Sequence, residues 1–269
     1  MLITRLFTAA ALLLITFILA LIGNFFLLKT FIFFIHTAIL WEWLGLLNKN
    51  FFQKSLPISI FFLCSAIAFE KNDYDLFISF IINLSVFFWI ILVPIILYRG
   101  KTFSGVLGLY SAVLITLSSF YASLWALENG LFYFLSILLV VWIADTSAYI
   151  TGRVLGKKKL APKISPKKTI EGVYGALFAN IVFALICIEF HFGWMEEFKQ
   201  LTNFFLVFLL VIWATLISVM GDLFQSLLKR EAKVKDSGSL LPGHGGFYDR
   251  FDAVIAVCPF LMFSVKLVQ

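Results

Sequence analysis

The chain is poor in charge and in the residues that punctuate soluble folds. Asp, Glu, Lys and Arg make up 13% of its 269 residues, about half the share of a soluble domain. That scarcity excludes a water-facing surface of ordinary extent. Cysteine and histidine occur three times each. Cys64, Cys187 and Cys258 stand apart inside apolar runs with no CxxC pair, so they read as small buried hydrophobes and say nothing about redox compartment. Zinc is disfavoured, because no cysteine ligand accompanies the lone His244. No Ser-His-Asp or Cys-His arrangement is present, no Lys-Ser/Thr phosphate loop, and no dinucleotide glycine fingerprint. Short segments alternating apolar and polar are missing too, which argues against a membrane β-barrel.

What the chain does contain is apolar. Hydrophobic residues reach 62%, with 33 phenylalanines, and the mean hydropathy is +1.01. Runs of about 18 residues or more recur along the whole length, each able to cross about 30 Å of hydrocarbon as a helix. The pattern predicts an all-α polytopic integral membrane protein of about nine transmembrane helices. They are drawn roughly at 4–22, 25–46, 55–70, 76–98, 103–126, 130–152, 172–190, 203–228 and 250–267. The third is short, tilted or partly interfacial. The first carries only Arg5 ahead of its apolar stretch and no convincing cleavage site, so it reads as a retained span rather than a signal peptide. Residues 1–126 hold spans one to five, and 127–269 hold spans six to nine with the long polar loops.

The net charge of +6 sits in short loops between spans, where it sets topology rather than binding nucleic acid. With the N-terminus in the cytoplasm, 17 of the 21 basic residues fall on the cytoplasmic side. The other side keeps Lys29, Lys71, Lys199 and Lys266 among most of the loop acids. An odd number of spans puts the C-terminus outside. His191 then falls on the far side as an interfacial residue. His36, inside span two, is expected to hydrogen-bond a neighbouring helix rather than a ligand.

Two polar regions share the cytoplasmic face. Span eight ends with Asp222, Ser226, Lys229 and Arg230, spaced to share one helical face. Span six ends with Asp145, Tyr149, Gly152 and Arg153 at the same spacing. Span nine begins with Asp249 and Asp252, i and i+3 on one face. Carboxylates at such depth normally face a bundle interior or a wet cavity. Carboxylates from separate helices suit a hard cation, and Mg²⁺ takes one or two of them with water and substrate phosphates. The loop after span six carries seven basic residues between Arg153 and Lys168. Within it, Ser165-Pro166-Lys167-Lys168-Thr169 combines point charges with hydroxyls suited to phosphate, and Ser165-Pro166 reads as a helix start with the serine as cap. The loop after span eight holds Pro242-Gly243-His244-Gly245-Gly246, whose glycines let the main chain approach a ligand closely. Acids and lysines at one membrane face suit metal-assisted phosphoryl chemistry on a lipid and a soluble phosphate donor.

The 27 residues from Ser226 to Asp252 closely resemble the signature of the phosphatidate cytidylyltransferases, and Asp145-Thr146 and Ser165 through Gly172 are similar to that family as well. The resemblance covers the C-terminal half; the first five spans share only hydrophobicity. It implies that CTP and phosphatidic acid give CDP-diacylglycerol and pyrophosphate in phospholipid synthesis, at a cytoplasmic cavity in the inner membrane. It also implies Mg²⁺, a second, monovalent cation such as K⁺, and a homodimer. On that reading Asp222 and Asp249 are the leading metal ligands, helped by Asp252 and Asp145. Lys229 and Arg230 neutralise the reactants, and His244, Gly245 and Gly246 sit over the phosphates. Ser165, Lys167, Lys168 and Thr169 form the other wall, with Ser226 and Arg250 beside the substrates. The lipid phosphate is already nucleophilic at neutral pH, so no strong base is needed. The rivals are a CTP-dependent polyprenol kinase, which would release CDP, and an ion-coupled transporter, which would show acids at the membrane midplane and broken-helix repeats.

Overall fold

A computed structural model of the protein describes residues 18–19, 22–47, 50–70, 76–243 and 245–269, with no side-chain description at 51 and 67–70. The described residues are 78% helical. The helices, in order, are α1 (Phe25–Leu46), α2 (Phe51–Glu70), α3 (Leu76–Arg99), α4 (Gly105–Glu128) and α5 (Leu131–Val154), followed by α6 (Ile170–Glu189), α7 (Gly193–Leu201), α8 (Phe204–Glu231), α9 (Tyr248–Phe251) and α10 (Val254–Lys266). Two short antiparallel strands, β1 (Lys159–Ala161) and β2 (Ser165–Thr169), form a hairpin between α5 and α6.

Local chemistry sets the helix ends. The Asn24 side chain accepts from the amides of Phe26 and Leu27 and starts α1. Asn203 does the same for α8 through the Leu206 amide at 3.0 Å, satisfying a donor that has no partner inside the helix. Gly100 closes α3 in a left-handed conformation (φ 66°), which glycine adopts without steric cost. Inside α3 the chain widens to a π turn over Phe88–Leu92 just before Pro94. A proline has no N–H to return to the preceding turn, and the wider turn accommodates the gap.

Among the described residues six helices (α1, α3, α4, α5, α6 and α8) are long and apolar enough to cross a membrane. They bear out a polytopic all-α membrane protein, but not the expected count of nine. The first expected span lies outside the described residues. The third is the 20-residue α2, with Pro57 inside it. The ninth differs most. It is a 13-residue helix, α10, buried along most of its length from Val254 to Val265. Thirteen residues rise about 20 Å, short of the hydrocarbon thickness. Its apolar run reads as a lipid-facing span, yet it is the central helix of the core, packed on α4, α8 and α3. Gly221 permits the closest approach. A Cβ there would lie 2.7 Å from the Asp252 carbonyl and 3.1 Å from Ala256 Cβ.

Two polar side chains inside the bundle tie neighbouring helices together. His36 meets the Ser119 hydroxyl on α4 at 3.1 Å, as expected of it. Asn180 on α6 donates to the Val140 carbonyl at 3.1 Å and to Thr215 at 2.9 Å, joining α5, α6 and α8.

Candidate active site

The two polar regions meet at one end of the bundle. Lys168, at the end of the hairpin, forms an ion pair with Asp222 on α8. Arg230 Nε, two turns further along α8, donates to the Ile164 carbonyl at 3.2 Å in the hairpin turn. Asp145 on α5 and Asp252, at the junction of α9 and α10, both come within electrostatic reach of Asp222. Three helical elements thus deliver three carboxylates to one place, with the Lys168 ammonium against them. A cavity of about 430 Å³ opens beside this group, within the size range of small-molecule sites. Asp145, Asp222, Lys167, Lys168 and Thr169 line it, together with Arg153, Lys159 and Tyr149.

The hairpin holds its lysines in place through two residues. Ser165 does not cap a helix. It lies in β2, and the cap is Thr169, whose hydroxyl accepts from the Gly172 amide at 3.2 Å. Pro166 fits the extended strand as readily as a first helical turn, so the Ser-Pro pair alone could not settle the boundary. Glu171, in the first turn of α6, accepts from the amides of Lys157 and Lys158 at 3.0 and 3.2 Å. These bonds fold the basic loop back over the cavity. On the opposite wall, Gly172 faces the Ala148 carbonyl at a distance that leaves no room for a side chain, 2.8 Å to an added Cβ. Small residues bring α5 and α6 close enough to share one wall.

The loop after α8 forms a second group. Five donors lie within hydrogen-bond distance of Asp249, one of them the Ser237 hydroxyl that Glu42 also faces. Gln225 and Lys229 donate to Oδ1 at 2.8 and 2.7 Å; the Ser237 amide, the Ser237 hydroxyl and the Gly246 amide donate to Oδ2 at 2.8, 3.0 and 3.0 Å. Burial alone would raise this carboxyl, but the Lys229 ammonium, the Gly246 amide and Gln225 outweigh it and hold it below the usual carboxylate range. A carboxylate offers about four lone-pair sites, so these donors occupy Asp249 fully in this geometry. Asp249 and Asp252, read from the sequence as neighbours on one face, instead serve different groups. Asp249 accepts from Lys229, while Asp252 lies within electrostatic reach of Asp222.

Ser226 donates to Asp222 at 3.2 Å. Gly245 has φ +82° and presses on Asp249 and Asp236, and Gly246 packs against Ser237. Arg250 is exposed at the surface end, and His244 lies outside the described residues. Among the described residues no group of three or more His, Cys, Asp or Glu side chains is placed to hold a metal ion. Asp145 and Asp222, which line the cavity, still match Mg²⁺ by donor type, because that ion needs only one or two carboxylates when water and phosphates complete its shell.

One residue escaped the sequence reading. Glu42, near the end of α1, is 3% exposed and accepts from the Ser237 hydroxyl at 2.8 Å and the Phe247 and Tyr248 amides at 3.1 and 2.9 Å. Its signal was available: a lone acid in the apolar run Trp41-Glu42-Trp43, where an unpaired carboxylate is costly.

Helices long and apolar enough to cross a membrane, with an acid- and lysine-lined cavity at one end of the bundle, define the class: a polytopic all-α membrane protein. The profile of the Cytidylyltransferase family matches residues 3–268, and the chain belongs to that family. The phosphatidate cytidylyltransferase of Haemophilus influenzae is 45% identical over 135 residues, covering 50% of this chain and 46% of that protein. Those of Staphylococcus epidermidis and Staphylococcus aureus are 44% and 42% identical over 143 and 142 residues, each covering 53% of this chain and 51% of the relative. The chain spans about half the length of the curated relatives it matches.

Proposed function

We propose that this integral membrane protein condenses CTP with phosphatidic acid, giving CDP-diacylglycerol and pyrophosphate, at the cytoplasmic face of the inner membrane. The observation that supports it most is the meeting of Lys168 with Asp222, Asp145 and Asp252 beside a cavity walled by Arg153, Lys159 and Lys167. Both reactants are anions and repel each other. The cavity's cations offset that repulsion and hold the lipid phosphate oxygen in line with the α-phosphorus. The new oxygen–phosphorus bond forms as the bond to pyrophosphate breaks. Mg²⁺ held by Asp222 and Asp145, with Asp252 behind them, would supply positive charge for the phosphates and the leaving pyrophosphate. Lys229 is oriented by Asp249, and Arg230 by the hairpin carbonyl. The basic loops on this side support a cytoplasmic face, since such loops are enriched in Lys and Arg there. A K⁺ ion beside the acids and a homodimer complete the proposal, and both rest on the family resemblance alone.

The test is purified protein in detergent with labelled CTP, phosphatidic acid and Mg²⁺. The expected products are CDP-lipid and pyrophosphate in equal amounts. Release of CDP with a phosphorylated polyprenol would support the kinase reading instead. No CDP-lipid, or an undiminished rate in Asp222→Asn, would sink the proposal.

A further inference from the structure

We infer that Glu42 is a positioning residue for the reaction proposed above: from α1 it sets the glycine-rich loop and, through Ser237, the Asp249–Lys229 pair. The inference rests on that reading for its catalytic consequence and on geometry for its mechanism.

The geometry has three parts. First, α9 has no cap of its own. Its N-cap residue, Phe247, offers no side-chain hydrogen bond. The two amides that begin the turn, Phe247 and Tyr248, donate to Glu42 from a helix about 200 residues earlier in the chain. A carboxylate is well placed at a helix N-terminus, where amides lack partners.

Second, the loop is shaped to receive this side chain. A Cβ on Gly238 would lie 2.5 Å from Glu42 Oε1, and one on Gly246 would overlap Glu42 Oε2. These two glycines therefore close the main chain around a protein carboxylate. The neighbouring Trp43 stacks on the Tyr248 ring at 5.1 Å and 21°, so α1 grips the loop at two successive residues.

Third, Ser237 links the two acids. Its hydroxyl oxygen is 2.8 Å from Glu42 Oε2 and 3.0 Å from Asp249 Oδ2. A hydroxyl has one proton, so the two carboxylates compete for it. Whatever Glu42 takes from Ser237 changes how tightly Asp249 is held. Asp249 in turn is the partner that orients Lys229. The path from α1 to Lys229 therefore runs through three side chains in direct contact.

The experiment uses the full chain in detergent, with CTP, phosphatidic acid and Mg²⁺ as probes, and compares wild type, Glu42→Gln, Ser237→Ala and the double variant. Glutamine keeps the volume and one acceptor oxygen. The expected result for Glu42→Gln is a fall in kcat of about tenfold, the effect of about one net hydrogen bond. KM for phosphatidic acid stays unchanged, because the cavity walls do not include Glu42. Amide hydrogen exchange at Phe247 and Tyr248 rises, and the double variant is no slower than the slower single one. Wild-type kcat in Glu42→Gln despite faster exchange would overturn the positioning role and leave Glu42 a fold anchor. So would independent, multiplying effects of the two substitutions, or a rate that falls only in step with the folded fraction. Should Glu42→Gln not fold, Ser237→Ala decides alone: it keeps both amide bonds of Glu42 and cuts the link, and an unchanged kcat refutes the path. A wild-type chain that makes no CDP-lipid overturns the reaction itself, while active wild type with unaffected variants overturns only the positioning.

Discussion

Replacing Asp249 by asparagine removes one charge and almost no volume, and the structure sets the cost. Both carboxylate oxygens accept: two donors on Oδ1 and three on Oδ2. An asparagine must turn its NH₂ toward one of these sets. If it keeps oxygen toward Lys229 and Gln225, the NH₂ faces the amides of Ser237 and Gly246, and two charge-assisted bonds are lost. At about 1.5–3 kcal/mol each, that is about 3–6 kcal/mol before relaxation. The loop can open locally, so the global melting midpoint registers only part of this. The loss in activity is expected to be larger, about a hundredfold, since Lys229 loses the partner that orients it and small displacements of such groups are costly. The assay is CDP-lipid formation from labelled CTP, beside amide exchange across 245–249. Asp249 titrates below the usual carboxylate range because Lys229, Gly246 and Gln225 outweigh its burial. An acid depressed in the fold stabilises above its unfolded value of about 3.9, and that stabilisation is lost as pH falls through the folded one. The deficit of Asp249→Asn should therefore be constant between about pH 5 and pH 8. A variant with more than half the wild-type rate and unchanged exchange would refute the reasoning.

Other substitutions probe separate joints. Gly221→Val drives a side chain into the Asp252 carbonyl and Ala256; overpacking of this kind costs about 1–3 kcal/mol, so the melting midpoint in detergent drops and the rate with it. Thr169→Val keeps shape but removes the cap on the Gly172 amide, a loss of about 1 kcal/mol that Thr169→Ser should restore, read by thermal unfolding. For topology, reporter fusions should place the loop at 153–168 and the loop at 232–247 on the same, cytoplasmic side; opposite sides would contradict the Lys168–Asp222 pair.

Much of this was legible in the residues. Continuous apolar runs specify membrane helices because hydrocarbon leaves backbone groups no other partner. The charged ends of spans six and eight, and the Ser165–Thr169 stretch, pointed to one cluster, and the Lys168–Asp222 ion pair does bring the hairpin against α8. The Ser165-Pro166 helix start did not hold, because a proline suits a strand edge as well as a first turn. Span nine is found as a shorter, buried apolar helix, α10. Hydropathy measures apolarity and cannot distinguish a helix facing lipid from one enclosed by other helices. Glu42 went unread because its donors lie about 200 residues away, in a loop that hides its purpose until folded.

By itself the sequence determined the solvent of this protein, its helical class and the residue types of its site, since these follow from local composition and spacing. Only the tertiary structure decided which acids lie together. Asp252 joins Asp145 and Asp222, Asp249 is taken up by Lys229 and the loop, and Glu42 arrives from α1. The physical reason is that a carboxylate's partners are set by distance in space: Asp252 comes within reach of Asp145, about a hundred residues earlier, while Asp249, three residues away, is taken by Lys229.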